Sequence, residues 1–186
     1  MTENKNNLRT YFLVFGYGSL MWCNWESDFQ GSCKGKAILR GYHRAFNKKS
    51  TSNWGTPKNP CPTLGLEASD GAECIGLVFK FQVNNRDLVE AYLKKREGPS
   101  FQLVELEVEL EGGQLERALT AINDPERFTY IGNVNFNTLV DMARDARGEK
   151  GTCIDYIHNI YLKCEELGIE DEYVQNLWEA TNQNIS

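Results

Sequence analysis

The sequence holds only two histidines, His43 and His158, and its six cysteines (Cys23, Cys33, Cys61, Cys74, Cys153 and Cys164) include no Cys-x-x-Cys pair. A structural zinc site needs closely spaced Cys and His ligands, so none has a framework here and no metal is expected. Positive charge is also in deficit, with 20 Lys and Arg against 26 Asp and Glu, a formal charge of −6. Nucleic-acid binding rests on clustered basic side chains, so no nucleic-acid partner is expected. Long apolar runs are missing as well. The run from Tyr11 to Val14 follows a polar amino-terminal segment and is too short for a signal-peptide core or a spanning helix. These absences point to a cytoplasmic chain with no membrane partner, whose cysteines are reduced and mostly buried thiols, and whose residues 1–10 are flexible.

What is present is an ordinary globular balance. The chain has 186 residues, 41% of them hydrophobic and 25% charged, enough to bury one core without staples. A single domain over residues 1–186 is expected. The first half reads as strands: Tyr11 to Val14, Lys34 to Phe46, Thr63 to Ser69 and Glu73 to Phe81, rich in β-branched and aromatic residues and separated by turn formers. Between the second and third lies NKKSTSNWGTPKNPCP, an irregular loop that either lines a pocket or makes a surface excursion. Asn85 to Glu97 switches to helical spacing, with Leu88, Val89, Tyr92 and Leu93 as the apolar stripe and Asn85 as the cap.

Strict alternation returns in QLVELEVEL, which puts Val104, Leu106, Val108 and Leu110 on one face and a row of glutamates on the other. A solvated face explains that row without catalysis. EGGQ turns the chain into LERALTAI. Helical patterns follow from about Asn135, from Thr152, where Thr152 and Asp155 have capping-box spacing, and from Glu170. In the second of these helices Ile154, Ile157, Tyr161, Cys164 and Leu167 form the expected stripe. Strands first and most helices last imply an α+β domain with a largely antiparallel sheet, curled toward a barrel.

Two places carry possible chemistry. In FGYGSLMW, Phe15 to Trp22, Gly16 and Gly18 flank Tyr17 without side-chain bulk, so the backbone there is free to approach a ligand closely or to take positive φ. A plain strand-end turn followed by core residues accounts for the same octet. Glu97 is the other place. It falls at i+8 from Val89 and i+4 from Leu93, so it projects from the buried side of the helix. Burial and the negative end of the helix dipole both disfavour its ionisation and raise its pKa, as a proton shuttle near neutrality requires. The alternative is that Glu97 frays into solvent with Lys95 and Arg96.

The ordered set VFGYGSLMW, GYHRAF, ST, GTP, a helix ending YLKKRE, and YIGN with helices behind it resembles the ChaC-type γ-glutamylcyclotransferases over nearly the whole chain. The resemblance implies a small six-stranded, mostly antiparallel barrel flanked by helices. It implies cleavage of a γ-glutamyl compound, glutathione above all, to 5-oxoproline and the released amine, here Cys-Gly. Other γ-glutamyl amines or amino acids are alternative substrates, and a non-catalytic γ-glutamyl binder is an alternative role. Carried onto this sequence, the catalytic glutamate falls on Glu97, the substrate-binding loop on Tyr17, Gly18, Ser19 and Leu20, and a substrate-contacting tyrosine on Tyr156, which reads equally as a core residue. Because attacker and target share one substrate, no cofactor is expected. The chain departs from the family pattern after Glu97, where GPSF stands for KGGY, and in the middle loop, where SNW stands for DHR.

Overall fold

The computed structural model describes residues 9–182 apart from 23, 99 and 133. Most of the segment expected to be flexible, together with Cys23 and Pro99, lies outside the described residues. Five strands close into a barrel: β1 (Tyr11–Gly16), β2 (Ser32–Ser50), β3 (Cys61–Gln82), β4 (Phe101–Leu110) and β5 (Leu115–Asn123), in the order β1-β3-β2-β4-β5. Neighbours are antiparallel except β1 and β5, which close the barrel in parallel with Leu13 opposite Ala118. Helices α1 (Arg86–Glu97), α2 (Phe136–Asp145), α3 (Cys153–Leu167) and α4 (Glu172–Asn182) complete the domain, with a two-residue hairpin pair, β6 (Arg147–Gly148) and β7 (Gly151–Thr152), ahead of α3. No helix among the described residues is long and apolar enough to cross a membrane.

The barrel has five strands where six are implied, because Thr63 to Ser69 and Glu73 to Phe81 belong to one strand, β3. The intervening Asp70-Gly71 looks like a hairpin turn, and Gly71 does take φ +76°. But β2 pairs with both halves, Arg40 opposite Glu73 and Tyr42 opposite Ala68, so Ser69 to Ala72 bulge outward across from Gly41. A partner strand that continues past the irregularity prevents the chain from reversing.

Helix periodicity needs two further corrections. In α1, Val89 and Leu93 are fully buried and Tyr92 partly so, whereas Leu88 is 62% exposed. Asn85 caps nothing with its side chain, which instead donates from Nδ2 to the Phe29 carbonyl at 2.9 Å. In α3 the capping box of Thr152 and Asp155 forms as expected. Its buried face, however, runs through Cys153, Tyr156, Ile157, Ile160 and Cys164, which turns Tyr156 inward.

The expectation of reduced cysteines is also corrected: Cys61, at the start of β3, is joined to Cys153, at the start of α3, in a disulfide. The two lie 92 residues apart, a separation with no sequence signature, and only the fold brings their Cα atoms to 5.4 Å. Cys33 is an exposed thiol, and Cys74 and Cys164 are buried ones.

Arg44 of β2 is the principal polar group of the core. Its guanidinium is almost wholly buried and donates to the Tyr17 carbonyl at 2.6 Å, to Asp171 Oδ2 at 3.1 Å and to the Ile75 carbonyl. Asp171 uses its other oxygen to accept the Val174 amide at 3.1 Å, capping α4. One side chain therefore ties the end of β1, the middle of β3 and the start of α4 to β2. Glycines let the backbones meet there: a Cβ on Gly76 would stand 2.3 Å from the Gly16 carbonyl, and one on Gly16 2.8 Å from Leu20 Cβ.

Arg44→Met would keep most of the side-chain volume but leave Asp171 and two carbonyls without their donor. The expected loss is about 3 kcal/mol of unfolding free energy, read as a lower urea midpoint with an unchanged slope.

Candidate active site

The backbone after β1 bends immediately. Ser19–Met21 form one 3-10 turn whose Met21 amide bonds the Gly18 carbonyl at 2.8 Å, and Leu20 and Met21 are buried. Trp25 secures the bend from behind, donating its indole N–H to the Leu20 carbonyl at 3.1 Å and stacking on Tyr92 of α1. Both readings of the octet therefore hold together: its bulky residues are core, and its Tyr17 to Leu20 segment lines a cavity. Neither Gly16 nor Gly18 takes positive φ, so close approach of neighbouring atoms, not left-handed backbone, is what Gly16 serves.

That cavity, of about 30 Å³, is lined by Tyr17, Gly18, Ser19, Leu20, Leu64, Glu97, Ala121 and Tyr156. All six candidate residues thus meet in one recess, although they come from the β1 bend, the last turn of α1 and the first turn of α3. Tyr17 donates its hydroxyl to the Ala121 carbonyl of the neighbouring strand β5 at 2.8 Å, and its own carbonyl is held by Arg44. The Tyr156 oxygen accepts the Leu64 amide at 3.0 Å, which leaves the phenolic proton available as a donor. Burial raises the pKa of both phenols, so they are neutral at neutral pH.

Glu97 takes the buried alternative, with 17% of its side chain exposed. Lys95 is exposed, but Arg96 does not fray outward: its guanidinium donates to the Tyr92 hydroxyl and the Ser19 carbonyl, each at 2.8 Å. Arg96 thereby fastens the end of α1 to the bend. Burial pushes the Glu97 carboxyl above its ordinary pKa, and the charges of Lys48, Arg96 and Lys150 pull the other way.

Lys48 is the residue that sequence reasoning missed. It sits on β2 with Nζ donating to the Glu97 carbonyl at 3.0 Å and lying 3.9 Å from the centre of the Phe101 ring. A cation at the last carbonyl of α1 suits the helix dipole and opposes the charge of the carboxylate. Its burial lowers its own pKa to about 8. A lysine within a strand carries no sign of such a role, because only β2 packing beside the end of α1 creates it.

The recess widens outward. An adjoining cavity of about 70 Å³ shares Ser19, Leu64, Glu97 and Tyr156 with the first and adds Lys48, Asn53 and Trp54. The irregular loop after β2 therefore lines the site, and its aromatic content in a polar, proline-rich stretch was the available signal. Trp54 and Trp22 flank the Tyr156 ring, at centroid distances of 5.4 and 6.4 Å.

The family model for ChaC-like proteins matches residues 12–184 of the chain. Among curated relatives, Gamma-glutamylcyclotransferase 2-3 of Arabidopsis thaliana is 30% identical over 88% of this chain and 85% of its own length. The Glutathione-specific gamma-glutamylcyclotransferase of Escherichia coli is 28% identical over 88% of this chain and 70% of its own. The crystal structure of a yeast γ-glutamyl cyclotransferase specific to glutathione superposes with a TM-score of 0.83 at 20% identity, covering 94% of this chain and 97% of that one, and so shares the fold.

Removing the cation beside Glu97 should raise the pKa of the carboxyl further, because desolvation then goes less opposed. In Lys48→Met, with the aliphatic stem retained, the Glu97 side-chain carboxyl resonance should titrate at higher pH than in the parent protein. An unchanged midpoint in carbon-13 NMR would contradict this coupling.

Proposed function

The chain belongs to the ChaC-like protein family, and from that membership and the recess around Glu97 we propose that it is a γ-glutamylcyclotransferase whose substrate is glutathione, released as 5-oxoproline and Cys-Gly. The observation that carries the reading is the convergence of Glu97, the Tyr17 to Leu20 bend and Tyr156 on one cavity. A buried acid with raised pKa, a turn of backbone and a phenol with a spare proton suit a reaction limited by proton transfer and charge.

In the proposed reaction the α-amine of the glutamyl unit attacks its own γ-carbonyl carbon. A new C–N bond closes the five-membered lactam, and the C–N bond to the leaving amine breaks. Glu97, ionised, takes a proton from the α-ammonium so that nitrogen has a free pair and returns it to the departing nitrogen; the second proton, shed as the attacking nitrogen becomes the lactam N–H, follows through the same carboxylate, so the amine leaves as its ammonium ion and protons and charge balance without an outside donor. The bend from Tyr17 to Leu20 would hold negative charge, that of the α-carboxylate or of the oxyanion forming on the γ-carbonyl. Tyr156, its oxygen already accepting from Leu64, would donate to the glutamyl end.

Holding the substrate folded is itself a large part of the work. The amine and carbonyl are tethered, and fixing them in the near-attack conformer is worth several kcal/mol, roughly the lower end of effective-molarity effects. Arg96 and Lys48 contribute by fixing the end of α1, and with it the position of the carboxylate. The cytoplasm, where glutathione is plentiful, is the proposed setting. The Cys61–Cys153 bond is consistent with it because neither residue has exposed surface through which a thiol reductant could reach the sulfurs.

The decisive assay measures 5-oxoproline from glutathione, γ-glutamyl-alanine and γ-glutamyl-lysine. Glutathione should be turned over fastest, and Glu97→Gln should lose about 10²- to 10⁴-fold in kcat while its circular dichroism is unchanged. Substantial lactam formation by that variant would remove Glu97 from the chemistry, and tight glutathione binding with no lactam from the parent protein would make it a binder.

A further inference from the structure

Outward from Glu97 and Tyr156 the cleft opens into a cavity of about 390 Å³ lined by Ser19, Trp22, Asn53, Trp54, Arg96 and Lys150. Its lining, among the described residues, contains two cations and no acid. Four of those residues, Ser19, Asn53, Trp54 and Arg96, also line the adjoining cavity that holds Glu97, so the two spaces share a wall. A γ-glutamyl unit seated against the bend and Glu97 would direct its leaving amine into this outer space.

Lys150 reaches the cavity because the β6–β7 hairpin is docked on the loop after β2. The Glu149 amide donates to the Ser52 carbonyl at 2.9 Å, and the Lys150 amide to the Asn53 carbonyl at 2.7 Å. Two glycines make the contact flush. A Cβ on Gly148 would stand 2.3 Å from the Ser52 carbonyl, and one on Gly151, at φ +141°, would stand 3.2 Å from the Trp54 ring. The hairpin is thus shaped to lie on SNW, the stretch where the chain departs from the family pattern. Lys150 is held there by backbone contacts, its side chain is exposed, and its charge acts on Glu97.

We propose that Lys150, with Arg96 beside it, forms the subsite for a carboxylate on the leaving amine, and that the Trp22 and Trp54 rings flank the residues between that carboxylate and the scissile bond. The inference rests on the cyclotransferase reading and narrows it. Substrates are γ-glutamyl peptides or amino acids with a free carboxylate, as glutathione has on its glycine, and γ-glutamyl amines without one are poor substrates. A Cys-Gly unit extends about 7 Å beyond the γ-carbonyl, so its charge falls outside the inner recess and within the outer one. Arg96 is already engaged with Tyr92 and Ser19 at the end of α1, so its charge reaches the cavity from a fixed position, while Lys150 supplies the adaptable contact.

The test compares glutathione with its glycyl monoethyl ester, which lacks only that charge. The parent protein should favour the acid by about tenfold in kcat/KM, the size of one hydrogen bond to a charged group. Lys150→Met should lose about tenfold more on glutathione than on the ester, the excess appearing chiefly in KM and any effect through the Glu97 carboxyl being common to both substrates, and Lys150→Arg should restore the preference for the acid. Equal kcat/KM for acid and ester in the parent protein, or an equal loss on both in Lys150→Met, would overturn the subsite and leave the cyclotransferase reading standing. If no γ-glutamyl compound yields 5-oxoproline, that reading falls. The subsite is then judged by tryptophan fluorescence titration: tighter binding of acid than ester, abolished in Lys150→Met, supports it, and equal binding overturns it.

Discussion

A guanidinium deprived of water must have all of its donors met, and the demands of Arg44 organise much of this molecule. The carbonyls of Tyr17 and Ile75 and the carboxylate of Asp171 come from three segments, and each is oriented toward the same planar fork. The Tyr17 contact matters most for the site. It holds the peptide from which the bend departs, while the Tyr17 hydroxyl is tied to Ala121 on the neighbouring strand β5. With Arg96 on the Ser19 carbonyl and Trp25 on the Leu20 carbonyl, the bend is clamped at both ends and can line a recess in a fixed shape.

Around that recess the polar groups are arranged in support of one carboxylate. Burial raises the pKa of Glu97, and the neighbouring cations lower it. Lys48, Arg96 and Lys150 stand on three different elements, and together they offset part of the desolvation. The same contacts are mechanical, since Lys48 and Arg96 also bond the Glu97 and Ser19 carbonyls. Charge and position of the carboxylate are therefore set by the same residues. The Cys61–Cys153 bond adds a covalent tie at the start of β3 and of α3, the two elements that supply Leu64 and Tyr156.

Local pattern was a good guide wherever the structural reason was local. The alternation of QLVELEVEL became β4, although its glutamates are not simply solvated: Glu105 pairs with Arg86 and Arg117, and Glu109 with Arg40. The i, i+4, i+8 spacing of Val89, Leu93 and Glu97 put the carboxylate on the buried face of α1. Pattern failed where a distant partner decided. Asp70-Gly71 reads as a turn, but β2 pairs across it. Asn85 reads as a cap, but the Phe29 carbonyl takes its amide. Tyr161 lies on the apolar stripe of α3 as read from the sequence, but the barrel meets the helix on the side of Tyr156 and Ile160.

By itself, the sequence determined most of the helices and strands, the ordered motifs of the family, the place of Glu97 on its helix and the bend that follows β1, because each depends on side chains within a few residues of one another. Only the tertiary structure decided that the bend, Glu97 and Tyr156 share a cavity, that Lys48 lies beside the carboxylate, that Cys61 meets Cys153 and that Lys150 stands at the outer cleft. These are contacts across tens of residues. No local periodicity encodes them, and they arise when barrel closure and helix packing fix which surfaces face each other.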